Sequence, residues 1–505
     1  MLKYAIVFFA CCFFSPISAQ ITPPNCYDCK WLIGRDYSLL DSVGCGSLFD
    51  FSDPDNTSIV WVNKKMHFSY TNASICDENG NLQFYTNGCY IAGADHQMLL
   101  NGDGLNPNTP QSSCRQGHGY IGEQGTLALP FPAHPKQYFL IHKGVDTLVL
   151  MNYYGYHCKV LYRTLIDMNL NGGKGAVVFK NDTISHTDTL SYGQLTACKH
   201  ANGRDWWILS ARYRTNKFYR YLLSPEGVKL YGVQSYGLSA VSVSEDYSSQ
   251  AVFSPDGNKY VRNTAGGISI YDFDRCSGLL SNQKYIFLYP TDPASIGGAA
   301  ISSNSRFLYI STSYRLYQFD LQAADIAASK TLIGEQQYSD LNFYQQQLAP
   351  DGRIYMIPSS NDSYGLHTIE QPNLKGDSCE FIQNSLTMFC PNTVSVPNYP
   401  NFRLGRLVGS SCDTLATAIA EVASPEGLRI YPNPASDELT VEYAKPTSGS
   451  DVEIYISNML GVAVKQQKYR NGAEKINVED IPKGIYILSL QQQRRIIASQ
   501  KVIIQ

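Results

Sequence analysis

Val252-Phe253-Ser254-Pro255-Asp256-Gly257-Asn258-Lys259-Tyr260-Val261 reads as a strand, a Pro-Asp-Gly turn and a second strand. Asp-Gly suits a tight hairpin because glycine accepts the positive φ that a Cβ resists. Ile301-Ser302-Ser303-Asn304-Ser305-Arg306-Phe307-Leu308-Tyr309-Ile310 repeats the pattern with a different turn. Leu348-Ala349-Pro350-Asp351-Gly352-Arg353-Ile354-Tyr355-Met356-Ile357 is a third copy. The turns at 256, 304 and 351 lie 48 and 47 residues apart. An earlier copy fits at 198–208, with its turn at Asn202-Gly203.

Each copy continues alike. A third strand follows, as in Ile268-Ser269-Ile270-Tyr271-Asp272-Phe273 or Arg315-Leu316-Tyr317-Gln318-Phe319-Asp320. After another turn comes a fourth, as in Lys284-Tyr285-Ile286-Phe287-Leu288. Four short strands at a period of roughly 40–50 residues make one blade of a β-propeller. A lone blade leaves two apolar faces in water. Ring closure buries both against neighbours and leaves only short edges. Less regular hairpins precede these, at 74–88 and 126–142. The pattern predicts an all-β fold of about seven four-stranded blades, the last one closed by strands from both chain ends.

Composition agrees. The 36 Tyr, 39 Gly and 24 Pro suit many short strands and turns. A net charge of −3 leaves no basic footprint, so nucleic acid is not expected as a partner. Residues 1–19 read as a secretory signal: Lys3, then apolar Tyr4 to Phe14, then Ile17-Ser18-Ala19 before a cut ahead of Gln20. That apolar run is too short to cross a bilayer core of about 30 Å. No other stretch is apolar enough, so no transmembrane segment is expected in the mature chain. Of 14 cysteines, Cys11 and Cys12 lie in the signal, and an even number remains. Disulfides are the expected use in an exported chain. Candidate pairs are Cys26 with Cys29, Cys76 with Cys89 across a hairpin, and Cys379 with Cys390. Cys26-Tyr27-Asp28-Cys29 also has redox or zinc spacing, but no second Cys-x-x-Cys and no strand–helix context accompany it.

Catalytic signatures are not found. None of the nine His forms His-Glu-x-x-His, and neither a Gly-x-Ser-x-Gly elbow nor a phosphate loop is present. No catalytic, cofactor-binding or metal residue is assigned, and no cofactor is expected. Three stretches are chemically mixed. Residues 115–123 combine glycines with His118 and Glu123 and read as an inter-blade loop. Asn101-Gly102-Asp103-Gly104 offers calcium-type oxygens but only one acid. Trp206-Trp207 reads as a blade strand packing one ring inward, with a sugar platform as the alternative.

The chain's end is distinct. It carries Tyr431-Pro432-Asn433-Pro434 near 428, Gly461 after a short strand, Gly484-Ile485-Tyr486, and a closing Lys501-Val502-Ile503-Ile504-Gln505. Alternating apolar residues in short strands predict a small Ig-like β-sandwich over 428–505. These blocks, in this order, resemble the C-terminal sorting domain (type A) of Bacteroidota proteins exported by the type IX secretion system. The resemblance implies the secretion machinery as a partner, removal of the module after export, and possible attachment to surface lipopolysaccharide. Residues 413–427 read as a linker and 20–412 as the propeller.

That body resembles secreted Bacteroidota propellers related to WD-like and YVTN-type repeats. The matching stretches include 77–88, Phe253-Ser254-Pro255-Asp256-Gly257, Tyr271-Asp272-Phe273-Asp274, 349–355 and Pro400-Asn401-Phe402-Arg403-Leu404-Gly405. The resemblance implies fold and location but no chemistry. The expectation is a secreted or surface-displayed propeller that binds a protein or glycan at the channel mouth, where loops from several blades converge. The alternatives are a polysaccharide hydrolase or lyase at that mouth and a structural surface component. Carboxylates about 5–10 Å apart there favour hydrolysis. Amides and tyrosines favour binding.

Overall fold

Seven antiparallel sheets follow one another along residues 30–392, each built from one continuous piece of chain. The computed structural model describes residues 25–505 apart from 36–43, 108–113, 115–118, 151–152, 186–188, 240–249, 289–296, 338–341, 360–362, 414–427, 444–451, 459–462, 471 and 493–494. The signal at 1–19 and nearly all of the linker lie outside the described residues. The chain divides into two compact units, residues 1–413 and 414–505.

The first unit is a seven-bladed β-propeller. Its innermost strands are Lys30–Ile33, Ala73–Cys76, Thr126–Pro130, Thr196–Lys199, Ala251–Phe253, Ala299–Ile301 and Asn342–Leu348. Each starts a blade, and the later strands of that blade step outward. Burial follows the step. Ala299–Ile301 is buried throughout, whereas the outermost strands Gly227–Ser235 and Leu279–Ile286 are mostly exposed. Second strands such as Trp206–Ala211 and Phe307–Ser311 are buried on both faces, because each face meets a neighbouring blade.

Two expectations need correction. Among the described residues, blades 1 and 2 have three strands each and blades 3 to 7 have four. Among the described residues the ring also does not close through a shared sheet. Blade 1 comes wholly from residues 30–62 and blade 7 from 342–392. A Cys45–Cys390 disulfide and a bond from Arg35 N–H to Pro391 O (2.7 Å) join them instead.

Cysteine pairing also differs from the sequence proximity. Cys26 is bonded to Cys29, Cys89 to Cys114, Cys390 to Cys45 and Cys276 to Cys412. Cys76 and Cys379 are buried free thiols. Cys76 pairs in register with Leu82 near the hairpin turn, while Cys89 lies beyond Thr86 at the hairpin's far end. The extended strand Leu82–Thr86 alone puts about 13 Å between the Cys76 level and the hairpin's far end, more than a disulfide bridges. Cys379 sits in the turn before strand Phe381–Asn392, and Cys390 lies at that strand's other end.

The second unit is a sandwich of two sheets. Leu428–Tyr431, Glu438–Tyr443 and Ala473–Asn477 form one, and Ala463–Tyr469, Val452–Ser457, Gly484–Gln492 and Arg495–Ile504 form the other. Alternate residues such as Val452, Ile454 and Ile456 point into its core beside Leu488 and Leu490.

One buried base gives the propeller a pH dependence. His142 is fully buried, with Nδ1 2.7 Å from Asn106 Oδ1 and Nε2 2.9 Å from Thr164 Oγ1. Burial pulls its pKa from 6.5 down to about 3. The unfolded chain therefore holds one more proton than the folded one between those values. Stability drops as pH falls through that window, by up to about 1.4 kcal/mol per pH unit from this group. The variant His142→Gln should lose less stability than wild type between pH 6.5 and 4 in urea titrations. Equal losses in the two proteins would remove His142 as a cause.

Candidate functional site

The propeller axis is the place where chemistry from several blades meets. An innermost strand pairs on one edge only. In a hairpin, residues that bond the partner strand alternate with residues whose N–H and C=O turn away. Ser254 N–H donates to Lys259 O, so Ala251 and Phe253 turn their groups to the axis. The same register holds for Leu195 and Ala197, Ala299 and Ile301, and Gln346 and Leu348.

Two glutamines satisfy the first member of three of these pairs. Gln124, just before blade 3's inner strand, donates from Nε2 to Ala251 O (3.0 Å) and accepts from Ala251 N–H (2.8 Å). Gln250 donates to Gln346 O (2.6 Å) and accepts from the N–H groups of Ala299 and Gln346 (3.0 Å each). Both glutamines are buried. Beside them Glu123, from the mixed stretch 115–123, is also buried and accepts a hydrogen bond from Tyr344. His118 lies outside the described residues.

The chain's own residues 393–412 then enter the axis as a strap. Asn398 N–H donates to Asn72 O (3.1 Å), and its Nδ2 donates to Thr126 O and Leu195 O (2.9 Å each). Its Oδ1 accepts from Gln124 Nε2 (3.2 Å). Tyr399 donates to Lys30 O (3.0 Å), and Asn401 Nδ2 donates to Pro255 O (2.7 Å). The first contacts are at the starts of inner strands and the last at a turn that ends one. The strap therefore runs the length of the channel. It leaves over the turns of blades 4 and 5, where Leu407 N–H donates to Ala201 O (2.8 Å) and Cys412 is bonded to Cys276. The turn glycine Gly203 has φ +74°, and a Cβ there would lie 2.5 Å from Arg406 N. Asn-Gly is thus required both by the turn and by the strap above it.

The strap fills the side of the channel next to blades 1 to 3 and leaves a cavity of about 250 Å³ against blades 4 to 7. The wall includes Ala251, Ala299, Gln346, Asn401 and Arg403, and the mouth lies at Pro255, Ser303 and Gly352. The inner end is closed by the cross-links of Gln124, Gln250 and Asn398. Among the described residues, one carboxylate lines the wall, that of Asp28. Arg403 holds it with Nη1 and Nη2 at 2.8 and 2.7 Å. The Cys26–Cys29 disulfide frames Asp28, whose carbonyl accepts from Trp31 Nε1 (2.9 Å). Both sulfurs are fully buried, so the pair is enclosed structure. Gln346 is also fully buried, and neither side-chain polar atom is hydrogen-bonded.

The other singled-out stretches resolve differently. Trp206 and Trp207 are both buried, where the expectation was one ring packed inward and the alternative a sugar platform. Trp207 Nε1 donates to Arg275 O (2.8 Å) of the next blade, and Trp206 packs on Phe402 of the strap. Both rings are covered because a blade has two covered faces. The oxygens of the 101–104 loop already hold a cation. Lys180 Nζ donates to Asn101 O (3.1 Å), Asp103 O and Asp103 Oδ1 (2.8 Å each). That ammonium holds the Asp103 carboxyl below its usual range.

In the second unit, the Tyr431-Pro432-Asn433-Pro434 block joins the first strand to the last. Asn433 Nδ2 donates to Lys501 O (2.9 Å), and its Oδ1 accepts from Ile503 N–H (2.9 Å). Ala435 N–H donates to Ile503 O (2.9 Å), and Gln505 N–H donates to Ala435 O (2.8 Å). Gly484 opens strand Gly484–Gln492, and Tyr486, buried, donates to Pro482 O (2.7 Å). Gly461 lies outside the described residues. Residues 429–505 match the family described as the secretion system C-terminal sorting domain. These residues are a type IX sorting domain. The domain directs the chain to the cell surface or the medium and implies an interaction with the secretion machinery.

No curated protein sequence matches the chain. Similar solved structures include the periplasmic gluconolactonase PpgL of Pseudomonas aeruginosa (12% identity, TM-score 0.40, covering 74% of this chain and 99% of that one). Another is virginiamycin B lyase of Staphylococcus aureus (9% identity, TM-score 0.35, 64% and 87%). A third is PorZ, a surface component of the type-IX secretion system of Porphyromonas gingivalis (10% identity, TM-score 0.29, 91% and 68%).

The strap and the sorting domain each generate an expectation. Replacing Asn398 by Ala leaves buried carbonyls of blades 3 and 4 unpaired and should cost about 2–4 kcal/mol. A denaturant midpoint unchanged from wild type would show that the strap does not hold the ring. Deleting 428–505 leaves the first unit whole, and the shortened protein should collect in the periplasm. Normal amounts in the medium would refute the export route through this sorting domain.

Proposed function

We propose that this chain is a propeller exported by the type IX route to bind a ligand in its axial cavity, outside the cell, after removal of the sorting domain. The carrying observation is the cavity wall: backbone edges, carboxamides and a tyrosine, with its single carboxylate locked to an arginine. Hydrolysis of a glycoside needs a second carboxylate placed to act with the first. Among the described wall residues Asp28 stands alone, and its oxygens are occupied. Tethered amides and a closed inner end suit recognition, because the groups are fixed before the ligand arrives.

The test uses the secreted protein on a glycan array and in a pull-down, beside the variant Ser303→Trp. Ser303 is an exposed turn residue at the mouth, so an indole there obstructs entry without entering the core. Ligands found with wild type should bind the variant at least tenfold more weakly, about 1.4 kcal/mol, with unchanged thermal unfolding. Full binding by the variant would move the site away from the cavity.

A further inference from the structure

We infer that the ligand group entering the axial cavity is uncharged and hydroxyl-rich, the terminal sugar ring of a neutral glycan. This rests on the cavity being the binding site, as proposed above. Three features of the cavity lead to it.

The first is that the cavity is blind. The carboxamides of Gln124, Gln250 and Asn398 tie blades 3 to 7 together at its inner end. A chain cannot pass through, so only a chain end or a side group enters. Its volume of about 250 Å³ is below the roughly 300–1,000 Å³ of pockets for drug-sized ligands, which leaves room for about one ring.

The second is charge. A peptide end brings an ammonium or a carboxylate, and burying either needs an opposite charge. Asp28 and Arg403 are the wall's charges among the described residues, and they neutralise each other in a two-pronged pair. Neither is left over for a charged end group. An acidic sugar meets the same difficulty.

The third is the supply of hydrogen bonds. Gln124 and Gln250 occupy the axis-facing groups of Ala251, Ala299 and Gln346. The same register carries the next axis-facing positions, at Phe253, Ile301 and Leu348, down along the cavity. Three strands thus bring N–H and C=O edges side by side along the cavity, the Leu348 carbonyl already accepting from Gln347 Nε2 (3.2 Å). Ring hydroxyls both donate and accept and can match such a row.

The experiment measures binding of methyl hexosides, the matching methyl hexuronides, and short peptides with free or blocked ends to the secreted protein by ligand-observed NMR. Wild type should bind at least one neutral hexoside, and about tenfold or more weakly its hexuronide and every peptide. Ser303→Trp should abolish the hexoside signal. Asp28→Asn frees the Arg403 charge and should shift preference toward the hexuronide. If the bound class is hexuronide or peptide and Ser303→Trp abolishes it, the cavity stands as the site and the neutral-sugar inference falls. If hexoside binding survives Ser303→Trp, the cavity itself falls. If none of the probes binds wild type, the neutral-sugar inference is overturned.

Discussion

An innermost propeller strand has one edge with no strand beside it, and everything near this axis answers that constraint. Buried backbone groups without partners are costly, so N–H and C=O groups along the seven inner strands need partners. Two glutamines and the chain's own residues 393–405 supply many of them. The glutamines bond across blades at the starts of the strands. The strap bonds blades 1 to 5 down the channel. Where neither reaches, a cavity remains, and its character follows from the same edges. Ring closure, channel filling and the candidate binding site are thus different results of one shortage of partners.

Elements with local signals could be read from the residues. Pro-Asp-Gly at 255–257 and 350–352 marked hairpins because a turn needs glycine at a fixed place. The period of the turns marked blades because each blade repeats one unit. Tyr-Pro-Asn-Pro at 431–434 marked the sorting domain because Asn433 has to meet the last strand. Pro400 to Gly405 also stood out as a stretch, but its role did not. Asn398 meets carbonyls 203 and 272 residues away, and no spacing announces that. The same holds for Cys45 with Cys390. Nearness in sequence suggested Cys379 for Cys390, whereas strand length sent the two to opposite ends of a blade. About seven blades were legible, but the seventh was expected to be shared between the chain ends, whereas residues 30–62 form a blade of their own.

The candidate site was legible only as a choice between chemistries. Sequence reading set carboxylate pairs against amides and tyrosines at the channel. It had no means of knowing that Asp28, two residues from Cys26, would be met by Arg403 from the far end. That pair makes the disulfide-closed Cys26-Tyr27-Asp28-Cys29 loop a buried anchor for the strap. It also leaves the cavity without net charge.

The Cys276–Cys412 bond has a mechanical meaning. The strap ends at residue 412, where the disulfide fixes it to blade 5. Tension applied further along the chain reaches blade 5 through a covalent link. The hydrogen bonds of Asn398, Tyr399 and Asn401 carry none of it. A tug during export or from a surface attachment would therefore strain blade 5's hairpin before it drew the strap from the channel, and the cavity would keep its shape under load.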